Sequence, residues 1–437
     1  MAWLASSFSD LRFRLSGGRA LVLTGVVLFL AWGSYLGARH LWARRHLQIA
    51  EMALERNDLD LAQQHLEKCL HVRDDDADIY LLAAQTARRR DDYDQADAYL
   101  TAYERLERLV QTPCFERELL IAQQGDPDRV QKHLETILKT RKDQAATILE
   151  AVGKGYLNCF VKTDALECFN GLLKIRPDYA VALYWRGKTY ESMERHDKAL
   201  QDYRRAVELS ASLDDARLHL AKALQRTGRS WEAIPHFECL RQRQPKNAEV
   251  PLGLARCRLD LNERAEAREC LNALLTEHPD HSGALLELGR LEYHAGQTAA
   301  AENLLRRAAA LAPNDEDTHR FLLLCLKRQG KDSETRTCVA QLDAIEAMLR
   351  QLEVMLQKSR TDRRDATLYW KIGETLRWLG RDQEAVSYYF AALGEDANFA
   401  PAHAALADYF QRTGQICRAA RHRQQTASSH KKREEKD

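Results

Sequence analysis

The chain has 437 residues, and its 65 Lys+Arg against 64 Asp+Glu leave a formal net charge of +1. That balance argues against a bulk nucleic-acid binder, which carries a strong basic excess. With only 20 Gly and 9 Pro in a sequence rich in Ala, Leu, Glu, Arg and Gln, the composition points to helix and away from all-β folds, collagen and low-complexity sequence.

Residues 1–19 form a short tail carrying Arg12, Arg14 and Arg19. Residues 20–38 follow as 19 residues without a charge. As a helix rising about 1.5 Å per residue they would span roughly 28 Å, close to the hydrocarbon thickness of a bilayer. Trp32, Tyr35 and Trp42 sit toward the later end, where amphipathic rings favour the interface. Arg39, Arg44 and Arg45 come next, where a cleaved signal peptide would show a small-x-small site. The segment therefore predicts an uncleaved, single-pass transmembrane helix. The basic tail slightly favours repeats outside the cytoplasm. The ten cysteines follow no disulfide framework and weigh the other way; they read as buried thiols, and the side stays open.

From residue 43 the chain repeats itself. Similar units begin at Ala43, Ala77, Gln111, Ala146, Ala180, Asp214, Ala248, Ser282, Glu316, Ala366 and Ala400. Eight of the steps are 34 residues, one is 35 and one is 50. Position 8 of the unit is small, as in Ala50, Gly153, Gly187, Ala221, Gly289 and Gly373, and position 20 is Ala, as in Ala62, Ala199, Ala301 and Ala419. Position 24 is large and apolar, as in Leu66, Leu134, Phe169, Tyr203, Phe237 and Tyr389. This spacing predicts two antiparallel helices in close approach, with the position-24 side chain filling the space between successive helices. Position 15 is often Gly or Asn, which suits a left-handed turn ending the first helix. Pro177, Pro245, Pro279 and Pro313 stop the second. Two units depart from the pattern: Glu118 and Val130 stand at the small positions of the third, Leu323 and Thr335 at those of the ninth.

These residues and their register resemble the tetratricopeptide repeat (TPR) family. The resemblance implies an all-α, right-handed α-solenoid of about eleven helix pairs, here preceded by one transmembrane helix, with the first helix of each pair lining a concave groove. No unit buries its apolar face alone, so stacking makes one continuous core. The expected organisation is a tail (1–19), the transmembrane helix (20–38), nine units (43–349), an insertion (350–365), two further units with a C-terminal helix (366–427) and a polar, solvated tail (428–437). In the insertion region Ile345, Met348, Leu349, Leu352, Met355 and Leu356 recur at helical spacing. They predict a lengthened second helix packed on the next repeat; an exposed amphipathic helix for a partner is the other reading.

No HExxH, GxSxG, phosphate-loop or CxxC pattern occurs, so no catalytic, cofactor or metal residue is expected and the chain does not read as an enzyme. Cys159 and Cys168 fall on the two helices of one unit and read as packed thiols; the run Asp74, Asp75, Asp76 and Asp78 reads as a solvated loop; His403, His422 and His430 do not read as a ligand set. Position 9 faces the groove in the TPR family. In five successive units it is Lys154, Lys188, Lys222, Arg256 and Arg290, whereas Glu51, Gln85, Leu119, Leu324, Glu374 and Asp408 occupy it elsewhere. Such a basic ladder suits an acidic, C-terminal or phosphorylated peptide segment, with Tyr184, Trp185 and Tyr293 as apolar contacts; the same side chains would otherwise solvate the groove and pair with neighbouring Glu and Asp. The expected function is a membrane-tethered scaffold or adaptor for a protein or peptide partner, with no nucleic acid and no cofactor. The alternative is an accessory subunit of an envelope secretion or polysaccharide-export machine.

Overall fold

The computed structural model describes residues 17–107, 114–125, 144–361 and 365–434, without the side chains of residues 17–27, 33–36, 55, 360, 361, 417 and 427–434. All regular structure among the described residues is helical. The chain divides into two compact units, residues 1–120 and 121–437.

The first unit holds α1 (Gly17–Glu55), α2 (Leu59–Leu70), α3 (Ala77–Arg89), α4 (Tyr93–Leu106) and most of α5 (Phe115–Gln123). Asp58, Asp76 and Asp92 cap α2, α3 and α4 by accepting backbone N–H groups, which relieves orphan donors of the first turn. Asp76, taken from sequence as part of a solvated loop, is thus a structural cap, and it also pairs with Arg73 at 2.5 Å. Arg88 on α3 and Glu116 on α5 form an ion pair that is buried on both sides. Residues 20–38 lie inside α1, which continues without a break into the first repeat helix at Ala43. Among the described residues no helix is long and apolar enough to cross a membrane. Most side chains of residues 20–38 lie outside the described set; Leu28, Phe29, Leu30 and Trp32 are within it and stand exposed.

In the second unit the pairs are α6 (Ala145–Asn158) with α7 (Lys162–Ile175), α8 (Ala180–Ser192) with α9 (His196–Leu209), and α10 (Asp214–Arg226) with α11 (Ser230–Arg243). Next come α12 (Glu249–Asp260) with α13 (Arg264–Glu277), and α14 (Ser282–His294) with α15 (Thr298–Leu311). The last are α16 (Glu316–Arg328) with α17 (Asp332–Thr361), α18 (Ala366–Trp378) with α19 (Asp382–Glu395), and α20 (Ala400–Arg412) with α21 (Ile416–Glu434).

Positions 8, 20 and 24 explain the pairing. Ala221, Ala255, Ala165, Ala233, Ala267 and Ala301 are fully buried, as are Phe169, Tyr203, Leu271 and Leu305 at position 24. A Cβ on Gly153 would lie 2.9 Å from Phe169, and one on Gly373 would lie 2.5 Å from Tyr389. Position 8 is therefore small because the position-24 side chain of the same unit lies over it. Position 15 is left-handed at Asn57, Gly125, Gly228, Asn262, Gly296, Gly330, Gly380 and Gly414, and also at Asp91, Phe160 and Glu194. Val130 and Leu134 lie outside the described residues.

Helices run across two of the expected segment bounds, and the first of them is the lengthened second helix read from the apolar spacing. No boundary falls at residue 349: α17 runs as one 30-residue helix through the insertion, and Ile345 and Leu352 are buried. Leu352, Met355 and Leu356 pack with Leu368, Ile372 and Phe390 of the following repeat. The expected solvated tail is helical to Glu434, because its Lys, Arg and Glu are good helix formers and no Gly or Pro interrupts them.

Candidate functional site

First helices of neighbouring pairs touch one another, α10 with α12, α12 with α14, and α14 with α16. They form a continuous wall, and the basic residues of position 9 stand along it. The wall does not treat its five rungs alike.

Lys154 is only 3 % exposed. Its ammonium lies 4.6 Å from the Trp185 ring centre and 4.0 Å from Glu150. Lys188 approaches the same ring, also at 4.6 Å, so Trp185 is held between two ammonium groups, a favourable arrangement for its electron-rich face. Tyr184 is 6 % exposed and packs against Trp185, Tyr203 and His219. Lys154 and Tyr184 are therefore interior residues, and on its other side α6 is tightly packed on α5: a Cβ on Gly155 would lie 2.1 Å from the Ala122 carbonyl oxygen.

The remaining rungs are open and carry acidic neighbours. Lys222 donates to Glu249 at 2.6 Å. Arg256 donates through Nε to Glu287 at 3.0 Å, and Arg290 donates through Nη1 to the other oxygen of Glu287 at 3.2 Å. The Glu287 side chain is 7 % exposed, those of Arg256 and Arg290 43 % and 41 %. A buried carboxylate thus fixes two guanidinium groups whose outer donors face solvent. The two arginines border a recess of 420 Å³, also lined by Gln225, Leu259, Asp260, Asn262, Arg264, Leu291 and His294. Three arginines against two carboxylates leave that lining with an excess of one positive charge. Asp260 is already bonded to Ser230 at 2.7 Å and to Gln225 at 3.1 Å. Arg290 also lies over the Phe321 ring, 5.1 Å from its centre, while Tyr293 packs with the neighbouring core.

Sequence reading named Trp185 as an apolar contact and allowed pairing with neighbouring Glu and Asp, but did not single out Glu287 and Glu249 as those partners. Glu287 precedes Arg290 by three residues, the spacing of neighbours on one helix face, and this was the available signal. It also missed Glu191, which accepts from Tyr203 at 2.7 Å, from His219 at 3.2 Å and from Arg226 at 2.6 Å. Burial alone would raise the Glu191 carboxyl, but the bonds from His219 and Tyr203 and the Arg226 charge bring it down to about 2. Cys159 donates to the Gly125 carbonyl at 3.2 Å and does not bridge to Cys168, whose thiol burial pushes up to about 12. His403 and His422, which did not read as part of a ligand set, meet at 2.9 Å between their Nδ1 atoms. The described residues contain no group of three or more His, Cys, Asp or Glu arranged to hold a metal ion.

Models of the tetratricopeptide repeat match residues 180–212, 231–288 and 272–325. Anaphase-promoting complex subunit 3 of Schizosaccharomyces pombe is 26 % identical over 196 residues, which cover 40 % of this chain and 27 % of that protein. The chain thus matches about a quarter of the length of this curated relative. Among solved structures, PilW, described as a widely conserved type IV pilus biogenesis factor, is 20 % identical with a TM-score of 0.42 and covers 46 % of this chain and 93 % of its own. YrrB, a TPR protein described as having an unusual peptide-binding site, is 17 % identical with a TM-score of 0.38, covering 42 % of this chain and 95 % of its own. Proteins built from such repeats generally serve as scaffolds for protein–protein interaction and are typically not enzymes. The chain, whose described regular structure is all helical, carries tetratricopeptide repeats within residues 180–325.

Proposed function

We propose that the chain is a membrane-tethered scaffold that holds an acidic segment of a protein partner against Lys222, Arg256 and Arg290. The observation that carries this reading is the pair of half-exposed guanidinium groups fixed by buried Glu287 beside the recess. Arginine held in one orientation loses little freedom on binding a carboxylate or phosphate, and its remaining N–H groups form a fork for two oxygens. The wall also supplies an apolar surface in Leu259 and Leu291.

The tether rests on the 19 uncharged residues 20–38 and on the exposed Leu28, Phe29, Leu30 and Trp32. Large apolar side chains standing together on a helix mark a surface meant for a lipid or a partner. Because α1 continues into the first repeat, the repeats would stand on the membrane without a flexible linker, on the non-cytoplasmic side if the basic tail sets the topology. Carbonate washing of membranes tests the tether: full-length protein stays in the pellet if the reading holds and is released if it fails. The groove is tested by reversing Arg256 and Arg290 together to Glu, which should abolish binding of a deca-glutamate peptide without altering the helical circular-dichroism signal.

A further inference from the structure

The wall carries a spacing as well as a charge. Each basic rung leans onto the next first helix. Lys222 of α10 reaches Glu249 of α12 at 2.6 Å, and Arg256 of α12 reaches Glu287 of α14 at 3.0 Å. The Arg290 guanidinium of α14 lies 5.1 Å from the centre of the Phe321 ring of α16. The three charged heads are thus displaced in the same direction and keep the spacing of their helices. Helices that touch, as these do, stand about 8–10 Å apart.

The fourth rung differs in kind. Position 9 of α16 is Leu324, which is 41 % exposed and shares a helix face with Phe321, three residues earlier. Tyr293 and His294 of α14 flank Phe321, with ring centres 6.1 and 6.0 Å away, and Arg328 lies over the Tyr293 ring. Arg290 and His294 belong both to this aromatic group and to the lining of the basic recess, so the charged and apolar surfaces are continuous. The regular ladder ends there, because the next unit starts 50 residues after Glu316, at Ala366.

A bound chain must repeat at the interval of the rungs to use all four. An α-helix returns to one face about every 5.4 Å, and a β-strand about every 6.6–6.8 Å. A polyproline II chain, with three residues per turn and about 3.1 Å per residue, returns about every 9.3 Å, which falls inside the helix spacing. We propose that the partner segment crosses α10, α12, α14 and α16 as a polyproline II chain, with three acidic side chains three residues apart facing Lys222, Arg256 and Arg290, and a large apolar side chain at the next such step facing Leu324 and Phe321. This rests on the groove reading above and adds to it a conformation, a spacing and an apolar anchor. Such a chain has no internal hydrogen bonds to break and is already extended in solution, so little ordering opposes its binding.

Calorimetric titration of the full chain with end-blocked peptides of equal composition and charge tests the spacing. The in-register peptide is Glu-Pro-Pro-Glu-Pro-Pro-Glu-Pro-Pro-Leu, and its isomer is Glu-Glu-Glu followed by six Pro and Leu. The reversed in-register peptide is run beside them, since four rungs set an interval and no chain direction. The tighter of the two in-register peptides should bind at least tenfold more tightly than the isomer. Replacing its Leu by Ser should cost fivefold or more in the wild type and less than twofold in Leu324→Gln, a change at an exposed helical position that leaves deca-glutamate binding as it was. Equal affinity for in-register peptide and isomer overturns the spacing. An equal cost of the Leu-to-Ser change in wild type and Leu324→Gln overturns the apolar anchor. In both of those cases, deca-glutamate binding that is lost in Arg256→Glu/Arg290→Glu leaves the groove reading standing. Absence of binding of deca-glutamate and of every peptide overturns the groove reading and the spacing together.

Discussion

Gly187 and Tyr203 define the packing of a whole repeat: a Cβ on Gly187 would lie 2.7 Å from the tyrosine ring. The ring is fully buried and its hydroxyl is fixed by Glu191 at 2.7 Å, so it has no room to give way. The same relation holds between Gly289 and Leu305, at 2.8 Å. Where α11 carries Phe237, the close neighbour is Gly253 of the next helix, at 2.4 Å.

Gly187→Ala should therefore destabilise the second unit by about 1–3 kcal/mol, the usual cost of overpacking. Gly394→Ala is the contrasting case, since nothing lies within 4 Å of a Cβ there. It should stabilise by about 0.5–1 kcal/mol through helix propensity. Urea unfolding of both variants checks the difference in sign.

Glu191→Gln should cost about 1.5–3 kcal/mol, since hydrogen bonds to a charged group are lost. Its folded-state carboxyl lies near 2, below the ordinary 4.5. A depressed acid contributes stability above its unfolded value and loses it as pH falls through the folded one. Thermal melting should thus show an acid-dependent loss between pH 4.5 and about 2 that is reduced in Glu191→Gln.

The His403–His422 pair titrates in the opposite chemical sense and with the same direction of outcome. His403 donates through Nε2 to the Ala397 carbonyl at 3.0 Å, which leaves its Nδ1 to accept from His422. His422 lies between the Phe410 and Phe390 rings, with Arg418 and Arg421 on its own helix; Asp396 faces His403. Burial, then His403 and the two arginines, lowers it from 6.5 to about 3. The unfolded state binds the proton first, so stability falls as pH drops from 6.5 toward 3. Protection of α21, taken from exchange rates corrected for their intrinsic pH dependence, should fall over that window, and His422→Phe should flatten the dependence.

Much of the fold can be read from the sequence, because positions 8, 20 and 24 meet the same steric demand in unit after unit, and the left-handed turn at position 15 admits few residues cheaply. Asp91, Phe160 and Glu194 stand outside that rule; the Phe160 ring packs against Phe390 and its neighbours. The ladder was only partly readable. Periodicity gives the helix face of Lys154 but not its burial, which comes with the Trp185 ring and Glu150 beside it. Likewise Glu287 and Glu249 stand at different positions of their units, so no repeating signal announces that they fix Arg256, Arg290 and Lys222. The destination of the insertion depends on contacts such as Asn314 with Trp378, which no local pattern encodes.

The central claim is that Lys222, Arg256 and Arg290 form an acceptor for acidic chains, and calorimetric titration of the wild type and Arg256→Glu/Arg290→Glu with deca-glutamate and deca-lysine tests it most directly. The account predicts that deca-glutamate binds the wild type, weakens as salt rises and binds the variant at least tenfold more weakly, while deca-lysine does not bind the wild type. Equal affinity of deca-glutamate for the two proteins, or preference of the wild type for deca-lysine, would contradict it.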